Sequence, residues 1–364
     1  MDMYVYNKEL ELVGVTDQVT SLMWTKRYPL GDTFSATFPA NENNLKLIRP
    51  QMILEIPGRY SGMITYRNVS STGGIIRVSG CSFDGMMNSR VIADGSYTDS
   101  LLTIIDKNLG EAVKNPDRRF EHTYVDKTVD CTNLNRETVT YMNLGEYVGK
   151  ICGENMLLIR SEIDHGETEN KIRIYARKCA DRSINQEQND PIVFSELYDN
   201  VGSMDAVYSE EGCNNSAFIY TVSEADTVAS WNGEFGGGVG YSRREGVYQI
   251  DPVIRYECST NENGDVVWYP VLDVARTKKR ASDFFKNNCS DEFTNCIDAA
   301  VKVDSDYAKR FDVGDIVTIY SSRFGISQDA RITEISESFT VSGLNINVTF
   351  GEPMKSLKQM IGGR

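Results

Sequence analysis

The stretch that most constrains this chain lies near its end, from Phe311 to Gly351. Ile316, Val317 and Ile319 form one apolar run, and Ile332 with Ile335 marks a second. Ile346, Val348 and Phe350 alternate with Asn and Thr, the period of two expected of a half-buried strand. Gly314-Asp315 precedes the first run as a turn signal, and Gly343 and Gly351 punctuate the last. Three antiparallel strands are the natural product.

The same layout occurs near the start, from Pro50 to Gly80. Met52 to Ile56 takes the place of the first C-terminal strand, Ser61 to Thr65 that of Asp329 to Thr333, and Gly74 to Val78 that of the last strand. The likeness is one of spacing rather than identity. It fits either two barrel-like domains of one kind or two unrelated meanders, since any two antiparallel meanders share this rhythm.

Between them the pattern changes. Thr98-Asp99-Ser100 offers a cap for a helix over Leu101 to Leu109, stopped by Gly110, and a second helix is expected over Leu144 to Cys152. Met156 to Ile159 and Ile172 to Tyr175 read as a hairpin with an acidic link, Ser161 to Asn170. Asn41 to Asn44 reads as a polar loop and Gly233 to Gly240 as a Gly-rich connector. Asn261 to Asp265 reads as a hairpin turn, and Val271 to Asn287 as the longest of three helices. With no alternation of strand and crossover helix, the expectation is a mainly β, mostly antiparallel protein with small helical inserts.

The chain has 364 residues, enough for two or three domains, and a net charge of −14. That balance argues against a surface that neutralises phosphates or binds anionic lipid. The start is polar rather than signal-like, and no apolar run approaches membrane-spanning length. The eight cysteines are scattered with no C-x-x-C pair, as expected of reduced, packed thiols, although Cys289 and Cys296 are close enough in sequence to bridge if oxidised.

Catalytic chemistry is nearly absent. Neither histidine, His122 or His165, has metal-ligand spacing, and no zinc, Walker or nucleophile-elbow motif occurs. His165, between Asp164 and Glu167, admits two readings, a carboxylate-histidine base or a hairpin tip. The Gly236 to Gly240 run lacks the lysine of a phosphate loop, Glu210-Glu211 carries no glycosidase signal, and Lys278-Lys279-Arg280 reads as a solvated helix face or a contact for an acidic partner. Arg243, Arg244 and Glu245 suit an ion pair at a subunit interface, with plain surface solvation as the alternative. No catalytic, cofactor-binding or metal residue is assigned.

The order of several short passages resembles the tail-hub (baseplate hub) family of long-tailed bacteriophages, in its siphophage form. These are Arg27-Tyr28 with Gly31 to Pro39, Ser61 to Ile64, Val78 to Arg90, Asp181-Arg182-Ser183, Val193-Phe194-Ser195, Asp199-Asn200-Val201, Arg243-Arg244-Glu245, and Val313 to Val317 with the closing Phe350-Gly351. Met86-Met87 stands where the family pattern has a leucine pair. The resemblance implies two barrel-like domains plus α+β middle regions, divided at 1–95, 96–190, 191–300 and 301–364. It also implies a homotrimeric ring at the tail tip in contact with tail tube, distal tail or tape-measure proteins, assembly in the host cytoplasm, passage of DNA without specific binding, no membrane insertion, no cofactor and no enzymatic activity. Wall-degrading hubs carry an added C-terminal enzyme domain, for which little chain follows the last meander. A hub of a prophage or contractile injection system would share the fold. The competing class is a tail-tip carbohydrate-binding or cell-wall-degrading protein using Trp231, Trp268 and Tyr269 as platforms.

Overall fold

The computed structural model describes residues 2–93, 99–129, 131, 142–209, 214–222, 230–289, 294–302, 307–340 and 343–351. The chain divides into two compact units, Met1–Ala206 with Cys296–Pro353, and Val207–Asn295 with Met354–Arg364.

Unit 1 is dominated by a sheet of 14 strands. Its N-terminal part comprises β1 (Met3–Tyr6), β2 (Leu12–Thr16), β3 (Ser21–Arg27), β4 (Thr33–Pro39), the short helix α1 (Glu42–Leu47), β5 (Ile53–Ile56), β6 (Tyr60–Ser70) and β7 (Ile75–Cys81). An inserted α+β layer follows: α2 (Leu101–Leu109), β8 (Thr123–Asp126), α3 (Leu144–Glu154), β9 (Leu157–His165) and β10 (Asn170–Lys178), its strands ordered β8-β10-β9. β11 (Asp181–Arg182), β12 (Val193–Ser195) and β13 (Val201–Ser209) return to the large sheet.

Unit 2 then interrupts it with β14 (Ser216–Tyr220), β15 (Asn232–Gly236), β16 (Glu245–Gln249), the hairpin β17 (Ile254–Thr260) and β18 (Val266–Leu272), and α4 (Val274–Asn288). The chain re-enters through β19 (Thr294–Val301) and ends in β20 (Ile316–Ser321), β21 (Ile326–Thr340) and β22 (Gly343–Gly351).

The two meanders matched by spacing have one topology. In sheet order the first is β3-β4-β7-β6-β5 and the second β13-β19-β22-β21-β20. In both, a short helical turn links the second and third strands: α1 in the first, Tyr307–Lys309 in the second. Both also carry a bulge at the same place. The β6–β7 register slips between Ile64 and Tyr66, and the β21–β22 register between Ile332 and Glu334. The extra residues are Thr65 and Thr333, which the sequence spacing had already placed opposite one another. Each hydroxyl donates across to the next strand, Thr65 to the Ser79 carbonyl at 3.4 Å and Thr333 to the Thr349 carbonyl at 3.2 Å. A bulge leaves an unpaired residue and bends the strand, so recurrence at one position argues for duplication rather than coincidence.

Identity is lost because equivalent positions share volume differently. Phe34 pairs with Gly80 in the first repeat, and Ile297 with Phe350 in the second. A Cβ on Gly80 would lie 2.5 Å from the Phe34 ring. The large ring has moved to the other member of the pair, a change cores tolerate when total volume is kept. Each repeat buries its own cluster. Trp24, Phe34, Phe38 and Ile76 belong to the first, and Phe194, Phe311, Ile332 and Phe350 to the second. They meet edge to edge, where the second half of β21 pairs antiparallel with β3 from Glu334↔Arg27 to Phe339↔Leu22. The sheet path itself runs from β13 at one end to β2 at the other.

The helix expected over 101–109 is present, with the Ser100 hydroxyl accepting from the Thr103 amide and Leu101, Ile105 and Leu109 fully buried. The second runs from Leu144 to Glu154. Four expectations are corrected. Asn41 to Asn44 is not a loop: Asn41 accepts from the Asn44 amide and starts α1, which is too short to show a helical period. The acidic link is shorter, because β9 and β10 pair from Leu157↔Lys178 out to His165↔Asn170. Part of the Gly-rich run is β15, paired with β14 and anchored by Phe235 against Phe285. The long helix starts at Val274, not Val271, since Val271 and Leu272 complete β18 and Asp273 caps the helix.

Candidate functional site

The charged groups of unit 1 converge where both repeats meet the inserted layer. Gly31 and Gly314 each adopt positive φ, +88° and +89°, in a tight turn that glycine favours. The aspartate after each turns inward: Asp32 and Asp315 are both buried. Asp32 accepts from the Arg27 amide at 2.9 Å and from Trp24 Nε1 at 3.4 Å, and it pairs with Arg160 of β9. Asp315 accepts from the Ala180 amide at 2.9 Å and lies 3.4 Å from Arg177 and 3.5 Å from Arg182. Asp312 stands between Lys26 at 3.7 Å and Arg177 at 3.8 Å. Asp84 accepts from the Gly31 amide and the Ser161 hydroxyl, both at 2.6 Å.

Burial dominates the electrostatics here. It pushes the Asp32 carboxyl up, against the pull of Arg160. It works against the Arg160 charge too, but Asp32, Asp312 and Asp84 outweigh it and hold the guanidinium protonated. For Asp312 burial is likewise overcome, by Lys26, Arg160 and Arg177, and its carboxyl sits below the usual range. A second knot crosses the join between repeats. Glu337 of β21 is 2% exposed, accepts from the Tyr307 hydroxyl at 2.5 Å and lies 3.2 Å from Arg59. Lys26 lies over the Tyr307 ring at 5.1 Å. Burial first, and Glu337 second, push the phenols of Tyr60 and Tyr307 far above their ordinary value. These groups are fixed by mutual pairing, an arrangement suited to holding three parts of a fold in register.

His165 behaves the same way. Its Nε2 faces Glu55 at 2.8 Å and its Nδ1 faces the Asn170 Oδ1 at 3.1 Å. The Asn170 amide nitrogen donates to the Leu10 carbonyl at 3.0 Å, which fixes that oxygen toward the ring. Both ring nitrogens therefore meet acceptors, and the imidazolium is favoured: burial opposes the charge, but the hydrogen bonds to Glu55 and Asn170 raise the pKa above its ordinary value. A ring engaged at both nitrogens in this way is a clasp between the β9–β10 hairpin and β5. Because the folded pKa lies above the unfolded one, the stabilisation is complete below about pH 6.5 and is lost as pH rises through the folded pKa. His165→Gln is accordingly expected to lower the thermal midpoint more at pH 5.5 than at pH 9. An equal loss at both would exclude this clasp.

The interface residues proposed from sequence lie in unit 2. Arg243 pairs with Glu234 and Glu245 of its own chain and donates to the Gly238 carbonyl at 3.3 Å. Arg244 donates through its guanidinium to the Tyr241 carbonyl, and its amide donates to Asn215 at 2.9 Å. Arg243, Arg244 and Glu245 thus knit the 237–244 segment to β14–β16. Trp231, Trp268 and Tyr269 do not form one platform. Trp231 packs against Phe235 in the core of unit 2. Trp268 and Tyr269 are consecutive on β18 and point to opposite faces. Lys278, Lys279 and Arg280 lie exposed on α4. Glu210-Glu211 and the Cys296 side chain lie outside the described residues, and Cys289 is a free thiol. Among the described residues no group of His, Cys, Asp or Glu is arranged to hold a metal ion, and no helix is long and apolar enough to cross a membrane.

The fold has counterparts among known proteins. A family model described as Siphovirus ReqiPepy6 Gp37-like protein matches residues 2–352. The chain belongs to this family. No curated protein sequence matches it significantly. Among solved structures, the 43 kDa tail protein of prophage MuSo2 from Shewanella oneidensis aligns with a TM-score of 0.54 at 14% identity, over 97% of this chain and 99% of that one. A tail protein from Neisseria meningitidis MC58 aligns with a TM-score of 0.55 at 11% identity, over 96% of each. A chain of the phage P2 baseplate in its activated conformation with calcium aligns with a TM-score of 0.51 at 13% identity, over 98% and 99%. At these identities the likeness is one of fold. This member of the Gp37-like family has the mainly β architecture of phage tail and baseplate proteins across nearly its whole length.

Proposed function

We propose that the chain is a structural tail hub: three copies form a ring that joins the tail tube to the tail tip or baseplate and leaves DNA a path through it. The observation that carries this is the internal duplication. Two modules of one topology, joined through β21 and β3, would give a trimer six like modules around its axis, each contributing a barrel-like wall. End-to-end likeness to tail and baseplate proteins supports the same reading, as does the locking of the buried charges into pairs rather than acid–base sites. A net charge of −14 suits a wall past which DNA slides without sticking. Tail tube, distal tail or tape-measure proteins are the expected partners, the tail of the virion the final location, and catalysis no part of the role. Arg243, Arg244 and Glu245 remain candidates for a subunit contact through unit 2.

Native mass spectrometry of the purified chain over a range of concentrations tests this. A trimer is expected to grow in with concentration; a chain that stays monomeric throughout, or forms closed dimers, would count against the ring.

A further inference from the structure

The join between repeats inside the chain has an unmade twin. In the second repeat, Glu334 to Phe339 of β21 pairs with β22 on one side and with β3 on the other. Taking Thr65 and Thr333 as equivalent, the counterpart in the first repeat is Tyr66 to Ser70 of β6. That segment pairs with β7, and among the described residues no strand lies on its other side. Ile335 and Glu337 of the paired copy are 0% and 2% exposed, whereas their counterparts on the bare copy, Arg67 and Val69, are half-buried and 48% exposed. The counterpart of β3, the first strand of its repeat, is β13. It pairs with β19 and stands at the end of the sheet path. One chain thus makes the repeat-to-repeat join once and carries both halves of a second.

We propose that a second copy of this chain completes it: Tyr66–Ser70 of β6 in one subunit pairs antiparallel with Val201 to Ala206 of β13 in the next. This inference rests on the ring reading and names its seam. The two edges are different surfaces, so the contact is head-to-tail and propagates until a ring closes. Exposed edges are ordinarily blunted by lysine, proline or inward charge, but neither segment contains Lys or Pro. Their single charged residues are of opposite sign, Arg67 on β6 and Asp205 on β13. The internal join shows the same complementarity, with Arg27 and Glu334 at 2.8 Å. Gly202 and Ser203 are exposed on β13 and offer little bulk to a strand approaching from outside.

Hydrogen–deuterium exchange of the full chain, followed by mass spectrometry at low and high concentration with the oligomer mass recorded in parallel, tests the seam. Peptides covering residues 66–70 and 201–206 are expected to exchange about tenfold more slowly in the assembled state. Val69→Lys, at a position that contributes little to the core, is expected to keep the far-ultraviolet circular dichroism of the parent while shifting the mass to monomer. If the parent assembles and neither segment is protected, or protection falls instead on the open edge strand Leu12–Thr16, the seam is wrong while the ring stands. A chain monomeric at every concentration refutes both.

Discussion

Arg160→Met is expected to lower the stability of unit 1 by about 3–5 kcal/mol, the usual cost of removing one partner from a buried ion pair. The side chains of Arg160 and Asp32 are 11% and 10% exposed, so water cannot replace the lost guanidinium. Asp84 and Asp312, already close, would then face a buried carboxylate with one fewer cation. The cost should be separable from loss of packing. In Arg160→Met with Asp32→Asn, the one amide oxygen still accepts from the Arg27 amide, the weaker bond from Trp24 at 3.4 Å is given up, and no unpaired charge remains, so most of the stability is expected to return. Urea unfolding of the single and double variants, followed by near-ultraviolet circular dichroism, measures this. A single-variant loss below about 1 kcal/mol would show that Arg160 is not the counter-charge that the junction depends on.

Trp24→Ala is expected to cost a comparable amount, about 3–5 kcal/mol. The indole is 2% exposed and stacked between Phe34 at 4.9 Å and Tyr60 at 4.7 Å. It sits on β3 opposite Phe34 on one side and Glu337 of the second repeat on the other, so the cavity would open beside the internal join. Loss of Nε1 also takes one donor from Asp32. Trp24→Phe keeps an aromatic in the stack and is expected to lose less than half as much. Denaturant midpoints of the two variants provide the check, and equal losses would assign the effect to the indole N–H rather than to packing. Should the hub reading hold, Trp24→Ala should also weaken assembly, because β3 anchors one repeat to the other.

Part of this architecture was legible from local pattern. Ile346, Val348 and Phe350 alternate because one face of β22 is buried, and a period of two survives any change of partner. Ser100, Gly110 and the run Leu101, Ile105, Leu109 marked α2 because caps and helical spacing are local properties. Even the register between the two meanders could be read, down to Thr65 against Thr333, since turns and apolar runs recur at matching intervals. Elements without such signals were misread. α1 is six residues long, β15 is Gly-rich, and the apolar Val271 and Leu272 fit a strand end as well as a helix start.

Local pattern supplies the inventory of this protein: β-rich segments of like rhythm near both ends, helices between them, and an acidic balance of charge. Tertiary structure decided which segments are one fold used twice, because Phe34–Gly80 and Ile297–Phe350 fill equivalent space with opposite members and so conceal the repeat from identity. It also decided that Asp32 meets Arg160 and that Glu337 meets Arg59, pairs separated by 128 and 278 residues. Charge attraction at that separation leaves no periodic mark on a chain; it exists once the hydrophobic faces of the two repeats and the inserted layer have packed and removed the water between them.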